Sequence, residues 1–352
     1  MSPVEAPDDG IAARLARFVG GRLGVPVRVT GVERSTEGFS QETFMFDVET
    51  PTGRLGFVAK REPVAGLLEP YDLEPEFRVL HALSDDPLLS PRTPWFERDP
   101  AVLERPFYVM ERLPGDVPVP APGPDGAPPL GDDARAVLGP EVVDALARLH
   151  AIDWRSLGLD FLGARAPGRD AAVHELARWE ARIRRSGLPV HPALADALVW
   201  LRRHAPATDE ITLVHGDYRL GNFLVASDFH LTGILDWELV HLGDPLEDVA
   251  WCASPLWRAG TPYASALLPA EEFAARYAAV ARRTVDAERL RFYDVLAIVK
   301  MSAIMLTGIQ AFRDGRTADL RMAIFDHQLP FLHALLGMLR GWLAWCWCRR
   351  SS

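Results

Sequence analysis

Cysteine is scarce. Only Cys252, Cys346 and Cys348 occur among 352 residues, with no CxxC pair and no histidines at metal-ligand spacing beside them. This excludes a disulfide-stapled secreted scaffold and a structural zinc module, and it fits a reducing compartment, so a cytoplasmic location is expected. Positive charge is in deficit as well. Lys and Arg total 38 against 48 Asp and Glu, a formal net charge of −10. A nucleic-acid partner is therefore not expected, because phosphate backbones are held by clustered basic side chains. A membrane is not expected either. The C-terminal stretch Phe331 to Cys348 is interrupted by His333 and Arg340 and is short for a span. Met1 to Gly10 carries acids and prolines instead of the apolar core of a signal peptide. What is present, 48% apolar and 24% charged residues, matches an ordinary globular protein long enough for two or three lobes.

Periodicity divides the chain. Ile11, Leu15, Phe18, Val19 and Leu23 repeat at helical spacing. Alternation by two then takes over: Phe44, Phe46 and Val48 share one strand face, and Leu55, Phe57 and Ala59 another, joined by a Pro51-Thr52-Gly53 turn. A helix is predicted from about Glu74 to Leu83, and a strand from Pro106 to Arg112. Val117 to Asp133 holds six prolines and three glycines and reads as a linker. Helical periods come next at Val142–Ala151, Val173–Arg185, Leu194–His204, Glu271–Arg282, Ala287–Phe312 and Leu320–Leu339, the last expected to kink or restart at Pro330. The predicted class is α+β: a small antiparallel β-sheet lobe, residues 1–112, and a larger mainly helical lobe, residues 113–352.

Most of the chemistry lies in a strand-rich island within the helical part. Strand Ile211–Val214 runs into His215-Gly216-Asp217, with Asn222 five residues further on. A second strand, Leu231–Leu235, ends at Asp236-Trp237-Glu238. If these two strands are neighbours ending together, Asp217, Asn222 and Asp236 share one small volume. Two carboxylates and an amide oxygen form a hard, oxygen-only ligand set suited to Mg²⁺, an ion that keeps its waters and binds phosphate oxygens.

His215-Gly216-Asp217-Tyr218-Arg219-Leu220-Gly221-Asn222 resembles the catalytic loop of the aminoglycoside phosphotransferase family, relatives of protein kinases. Asp236-Trp237-Glu238 is similar to that family's metal-binding motif, and Gly243-Asp244-Pro245-Leu246-Glu247-Asp248 fits the pattern beyond it. The resemblance implies a protein-kinase-like bilobal fold and an ATP- and Mg²⁺-dependent kinase. It implies Asp217 as catalytic base, with Asn222 and Asp236 holding magnesium against the nucleotide phosphates. Phe57-Val58-Ala59-Lys60 resembles the strand that supplies the phosphate-pairing lysine, whose partner would be Glu76 on the inward face of its helix. Gly38 and Ser40, in a loop with a single glycine, would cover the phosphates. The Glu111 carbonyl and Leu113 amide would meet the adenine edge. Asp244 reads as a helix N-cap, with Pro245 at N1 and Glu247 completing a capping box. Asp248 is either a brace for the loop or a solvated helix residue, and His215 is a scaffold residue.

The expected partner is a small-molecule hydroxyl acceptor. The run Leu235 to Asp248 looks most like kinases related to the phosphotransferase domain fused to some acyl-CoA dehydrogenases, which implies a hydroxyacyl-CoA-like acceptor. Aminoglycoside or macrolide antibiotics come next, and a nucleotide-binding regulatory protein without turnover is the non-enzymatic alternative. Trp342, Trp345 and Trp347 would either cover the last helix or dock a second subunit, so monomer and homodimer are both open.

Overall fold

The alternation read from Phe44 to Ala59 builds the centre of a five-stranded antiparallel sheet. A computed structural model describes residues 9–34, 41–84, 90–118, 129–163, 165–258 and 260–349. The chain divides into two units, residues 1–64 with 70–114, and residues 65–69 with 115–352.

In the first unit, α1 (Asp9–Leu23) precedes β1 (Arg28–Arg34), β2 (Glu42–Thr50) and β3 (Gly53–Arg61). Then come α2 (Glu74–Ala82), β4 (Trp95–Glu97), the short α3 (Pro100–Leu103) and β5 (Phe107–Glu111). The sheet order is β1-β2-β3-β5-β4. Because side chains alternate across a strand, its two faces carry different cores. Phe44, Phe46, Val48, Phe57, Ala59, Phe107 and Val109 pack with Leu15 and Val19 of α1. On the opposite face Tyr108 and Phe96 meet Phe77 of α2, at ring distances of 6.4 and 5.2 Å. Lys60, one residue past Ala59 and paired in register with Tyr108, points to that second face by the same period.

The second unit opens with α4 (Asp132–His150), α5 (Asp170–Ser186) and α6 (Pro192–His204). The island comes next: β6 (Thr212–Val214), β7 (Phe223–Val225), β8 (Leu231–Ile234) and β9 (His241–Gly243). Beyond it lie α7 (Leu246–Ala253), β10 (Tyr263–Ala264), β11 (Leu268–Pro269), α8 (Ala270–Ala281), α9 (Ala287–Arg313) and α10 (Leu320–Arg349). Helix α9 is long and apolar enough to cross a membrane by length and composition, but 72% of that window is buried inside the unit. It is a core helix.

Two prolines mislead a reading by propensity. Helix α4 starts ten residues before the predicted Val142 and continues through Pro140, because Leu138, Val142, Leu146 and Leu149 bury one continuous stripe across the break. Helix α10 likewise runs unbroken through Pro330, so the expected restart does not occur.

Phe46 is fully buried between β2 and its neighbours, whereas Leu55 at the start of β3 is exposed. Phe46→Ala is expected to cost about 3–5 kcal/mol and Leu55→Ala within about 0.5 kcal/mol, read as the shift in urea midpoint at unchanged slope.

Candidate active site

The pairing within the island differs from the expectation. The strand before Asp217 and the strand before Asp236 are not neighbours: β6 pairs with β9, and β7 pairs with β8. Asn222 is the link between them. It precedes β7, whose Phe223 lies opposite Ile234 of β8, and its carbonyl accepts from the Leu235 amide at 2.8 Å. That ladder fixes Asp236 at the same end of the hairpin as Asn222. Asp236 sits in the left-handed region with φ of 60°, a conformation that short polar side chains tolerate better than most and that concentrates at functional sites.

Asn222 also reaches back to the loop. Its Nδ2 donates to the Asp217 carbonyl at 2.8 Å and to Asp217 Oδ2 at 2.7 Å. Its Oδ1 is buried and has no hydrogen-bond partner among the described residues. A buried amide oxygen left unpaired costs about 1–3 kcal/mol, so its retention here fits an oxygen donor kept for a cation. Asp217 Oδ1 accepts from Arg219 Nε at 3.0 Å and from Trp251 Nε1 at 2.8 Å. A carboxylate offers about four lone-pair sites. Both on Oδ1 are taken and one on Oδ2 is taken, which leaves a single acceptor site on Oδ2. The Arg219 guanidinium lies 4.7 Å from the Trp257 ring, and Trp257 packs against Trp251 at 5.3 Å, so an aromatic wall backs Asp217.

The loop itself is held by buried charge. Gly216 has φ of 82°, and a Cβ there would stand 2.6 Å from the Leu239 carbonyl, so only glycine fits. Asp248, wholly buried, accepts from the His215 amide at 2.7 Å and the Gly216 amide at 2.8 Å, and pairs with His150 Nε2 at 3.2 Å. Burial works to raise its pKa, but His150, His215 and the Gly216 amide outweigh it and hold the carboxyl below its ordinary value. The choice left open for Asp248 resolves to the brace. His215 does more than fill space. Its Nδ1 accepts the Asp217 amide at 3.1 Å, so the ring proton sits on Nε2, which donates to the Leu235 carbonyl at 3.0 Å. One neutral imidazole thus ties the Asp217 loop to the residue before Asp236, and burial keeps its pKa below the usual histidine value.

Asp244 is structural, but α7 begins at Leu246 with Pro245 as its N-cap, so the predicted cap lies one residue outside the helix. Its Oδ1 accepts from the Leu246 amide at 2.9 Å, and Arg289 clamps the same carboxylate at 2.7 Å. The other half of the predicted capping box does not form. Glu247 turns inward to Lys300 Nζ and His241 Nε2, each at 3.2 Å. His241 also lies 3.8 Å from Glu175. Burial alone would lower its pKa, but the two carboxylates prevail and raise it.

In the first unit, Lys60 Nζ stands 3.7 Å from Glu76 Oε1, and both side chains are buried. Gln41 Nε2 donates to Glu76 Oε2 at 2.6 Å and so orients the carboxylate. Glu74, by contrast, points outward to Arg98. At the end of β5, the Arg112 amide donates to the Gly56 carbonyl at 2.9 Å. That turns the peptide groups of Glu111 to the other flank, where its N–H meets Arg92 O at 2.8 Å. The Leu113 amide makes no hydrogen bond among the described residues. Gly38 and Ser40 lie outside them.

Gln41, His150, Trp251 and Lys300 escaped a reading by motif. Three belong to no short pattern, and Trp251 is indistinguishable in sequence from core at helical spacing. For Lys300 a compositional signal exists: of the 38 basic residues, only Lys60 and Lys300 are lysine.

Residues 31–293 match the model of the phosphotransferase enzyme family. Acyl-CoA dehydrogenase family member 10 of Mus musculus is 31% identical over 196 residues, 55% of this chain and 18% of that protein. Acyl-CoA dehydrogenase family member 11 of Rattus norvegicus is 30% identical over 229 residues, 63% of this chain and 28% of that protein. The match thus spans less than a third of these curated relatives. Among solved structures, a Ralstonia eutropha protein assigned as an aminoglycoside phosphotransferase superposes with a TM-score of 0.71 at 23% identity, covering 93% of this chain and 97% of its own. A thermostable mutant of an aminoglycoside phosphotransferase, in ternary complex with AMP-PNP and hygromycin B, superposes with a TM-score of 0.58 at 18% identity, covering 93% and 98%. At these identities the structural likeness establishes the fold, an α+β protein-kinase-like one.

His215 and His241 should give opposite pH signatures. His215 has a depressed folded pKa, so its contribution to stability is present above the unfolded value near 6.5 and is lost as pH falls through the folded one. His241 has a raised folded pKa, so its contribution is full below about 6.5 and is lost as pH rises through the folded one. Urea unfolding between pH 5 and 9 should therefore show the cost of His215→Gln shrinking toward acid and the cost of His241→Gln shrinking toward base.

Proposed function

Because the chain belongs to the phosphotransferase enzyme family, we propose that it moves the γ-phosphate of ATP to a hydroxyl of a small molecule, with Asp217 as the base. The observation that carries this reading is the divided role of Asn222. Its amide nitrogen fixes both ends of Asp217, while its buried oxygen faces no partner among the described residues. Asn222 Oδ1 and the Asp236 carboxylate would hold Mg²⁺, which when bound neutralises phosphate charge and orients the group transferred.

The chain's own residues set the rest. Asp217 Oδ2 has one lone-pair site open, so the acceptor hydroxyl would donate there, its proton passing to that oxygen as the new O–P bond forms and the bond from the γ-phosphorus to the β–γ bridging oxygen breaks, releasing ADP. Arg219 and Trp251 hold Oδ1 still, so the carboxylate cannot swing away from the attacking oxygen. Lys60, oriented by Glu76, would pair with the nucleotide phosphates, and the residues 35–40 loop, with Gly38 and Ser40, would cover them. The Glu111 carbonyl and the Leu113 amide, which is free among the described residues, suit the adenine edge.

For the acceptor, a hydroxyacyl-CoA-like compound is favoured, because the relatives that share this region carry it in proteins named for acyl-CoA dehydrogenation. An antibiotic hydroxyl is the second reading, supported by the hygromycin complex of the structural neighbour. Working on ATP and small metabolites, the protein would act in the cytoplasm.

A phosphoryl-transfer screen with labelled ATP and Mg²⁺ over hydroxyacyl-CoAs, aminoglycosides and macrolides decides between the acceptors. Asp217→Asn should lower kcat by about 10²–10⁴-fold with nucleotide affinity nearly unchanged. Asp236→Ala should abolish turnover and, in calorimetry, the Mg²⁺ binding seen with AMP-PNP. Product from aminoglycosides alone would move the acceptor to the antibiotics. Wild-type turnover by Asp217→Asn would remove the base from its role.

A further inference from the structure

Thirty-six arginines and two lysines make up the basic residues of this chain. Wherever a basic side chain meets solvent, arginine serves. Both lysines are buried, Lys60 at 6% exposure and Lys300 at 1%. A compact ammonium differs from a planar guanidinium in fitting a small pocket and spreading three donors tetrahedrally. Its retention at two interior positions therefore marks places where arginine's shape fails.

The pocket around Lys300 shows what that shape is used for. On α9, its Nζ donates to the Gly216 carbonyl and to Glu247 Oε1. It lies 4.4 Å from the centre of the Trp251 ring and 5.5 Å from that of Trp179. Gly216 is thereby gripped on three sides. Asp248 holds its amide, Lys300 holds its carbonyl, and the Leu239 backbone closes the space a Cβ would need. The carbonyl that Lys300 grips belongs to the same peptide plane as the Asp217 N–H, which donates to His215 Nδ1. Trp251, the ring under the ammonium, is also the donor to Asp217 Oδ1. Lys300 thus touches two of the supports of Asp217 without touching Asp217 itself.

Glu175, His241 and Glu247 nearby offer three ligand atoms within 4.8 Å of one another, a spacing a metal ion could use. The cations are already supplied, however. Lys300 sits on Glu247, Arg178 lies 3.5 Å from Glu175, and His241 stands between both carboxylates. The cluster is balanced without a metal, and its free end is the ammonium aimed at the loop.

We propose that Lys300 is a positioning residue for phosphoryl transfer, fixing the Gly216–Asp217 peptide plane and through it the direction of the Asp217 carboxylate. Its effect on turnover rests on the phosphotransferase reading; its hold on the loop does not. Two readouts separate these. In Lys300→Met, exchange of the Gly216 and Asp217 amides should quicken by about 10-fold or more, and kcat should fall by about 10²-fold, the scale of a misplaced reacting group, with the KM for ATP within about 2-fold.

The double variant Lys300→Met/Glu247→Gln also removes the carboxylate that loses its ammonium partner. It should recover thermal stability while leaving both amide exchange and kcat impaired. Recovery of exchange and kcat along with stability would show that Lys300 only neutralises Glu247, and would overturn the proposal. Unchanged amide exchange in a folded Lys300→Met protein would overturn it too. If the wild type turns over no acceptor, the kinase reading falls, and amide exchange alone still decides whether Lys300 holds the loop.

Discussion

A single buried carboxylate organises the second unit. Asp248 is fully removed from water, and an ionised group in that position is tolerable only if both its oxygens are hydrogen-bonded. Its partners are two consecutive backbone amides, those of His215 and Gly216, together with His150, whose Nδ1 is held in turn by the Tyr277 hydroxyl at 2.7 Å. The desolvation cost of one aspartate is thus converted into a backbone constraint. The chain leaving β6 cannot relax into a regular strand, because doing so would strand the carboxylate. That demand forces both the positive φ of Gly216 and the outward projection of Asp217.

The same logic extends outward from the loop. His215, with its amide fixed by Asp248, presents a ring that accepts from Asp217 and donates to Leu235. The Asp217 loop and the Asp236 turn, which belong to different ladders, are joined by that ring and by the Asn222 amide. All of these bonds but the one from Asn222 Nδ2 to Asp217 Oδ2 run through a backbone group. A side chain replaced on the surface of this region leaves the geometry standing, whereas loss of one interior polar group leaves its partner buried and unpaired, the more expensive fault.

These relations set how much of the site is legible in the sequence. The residues of the motif, Asp217, Asn222 and Asp236, are legible because their types and spacing are dictated by local chemistry. The strand faces are legible from the two-residue period, and the inward placement of Glu76 from the helical one. The pairing of the island is not. Short apolar runs such as Phe223-Leu224-Val225 carry no mark of their partner, and β9 is only three residues long. Helix α4 defeats a propensity reading at Pro140 because the local rule against proline yields to a buried stripe on both sides of it. Glu247 misleads for a related reason. A capping box and an inward ion pair use the same residue type at the same position, and only the presence of Lys300, fifty-three residues away, decides between them.

Rigidity of this kind suits phosphoryl transfer in particular. The transition state is loose, with little bonding to the incoming oxygen, so strong proton abstraction gains little and misalignment costs much. A base for such a reaction is better immobilised than made more basic. Asp217, the proposed base, fits that requirement: three of its four lone-pair sites are committed to Arg219, Trp251 and Asn222, and those donors narrow its motion. The one site left on Oδ2 defines a direction of approach more than it supplies driving force. The selectivity of the reaction for its acceptor must then come from whatever holds the rest of that molecule along the line Oδ2 defines. On that side of Asp217 stand the Trp251 ring, which donates to Oδ1, and the Trp257 ring, stacked under Arg219 and against Trp251.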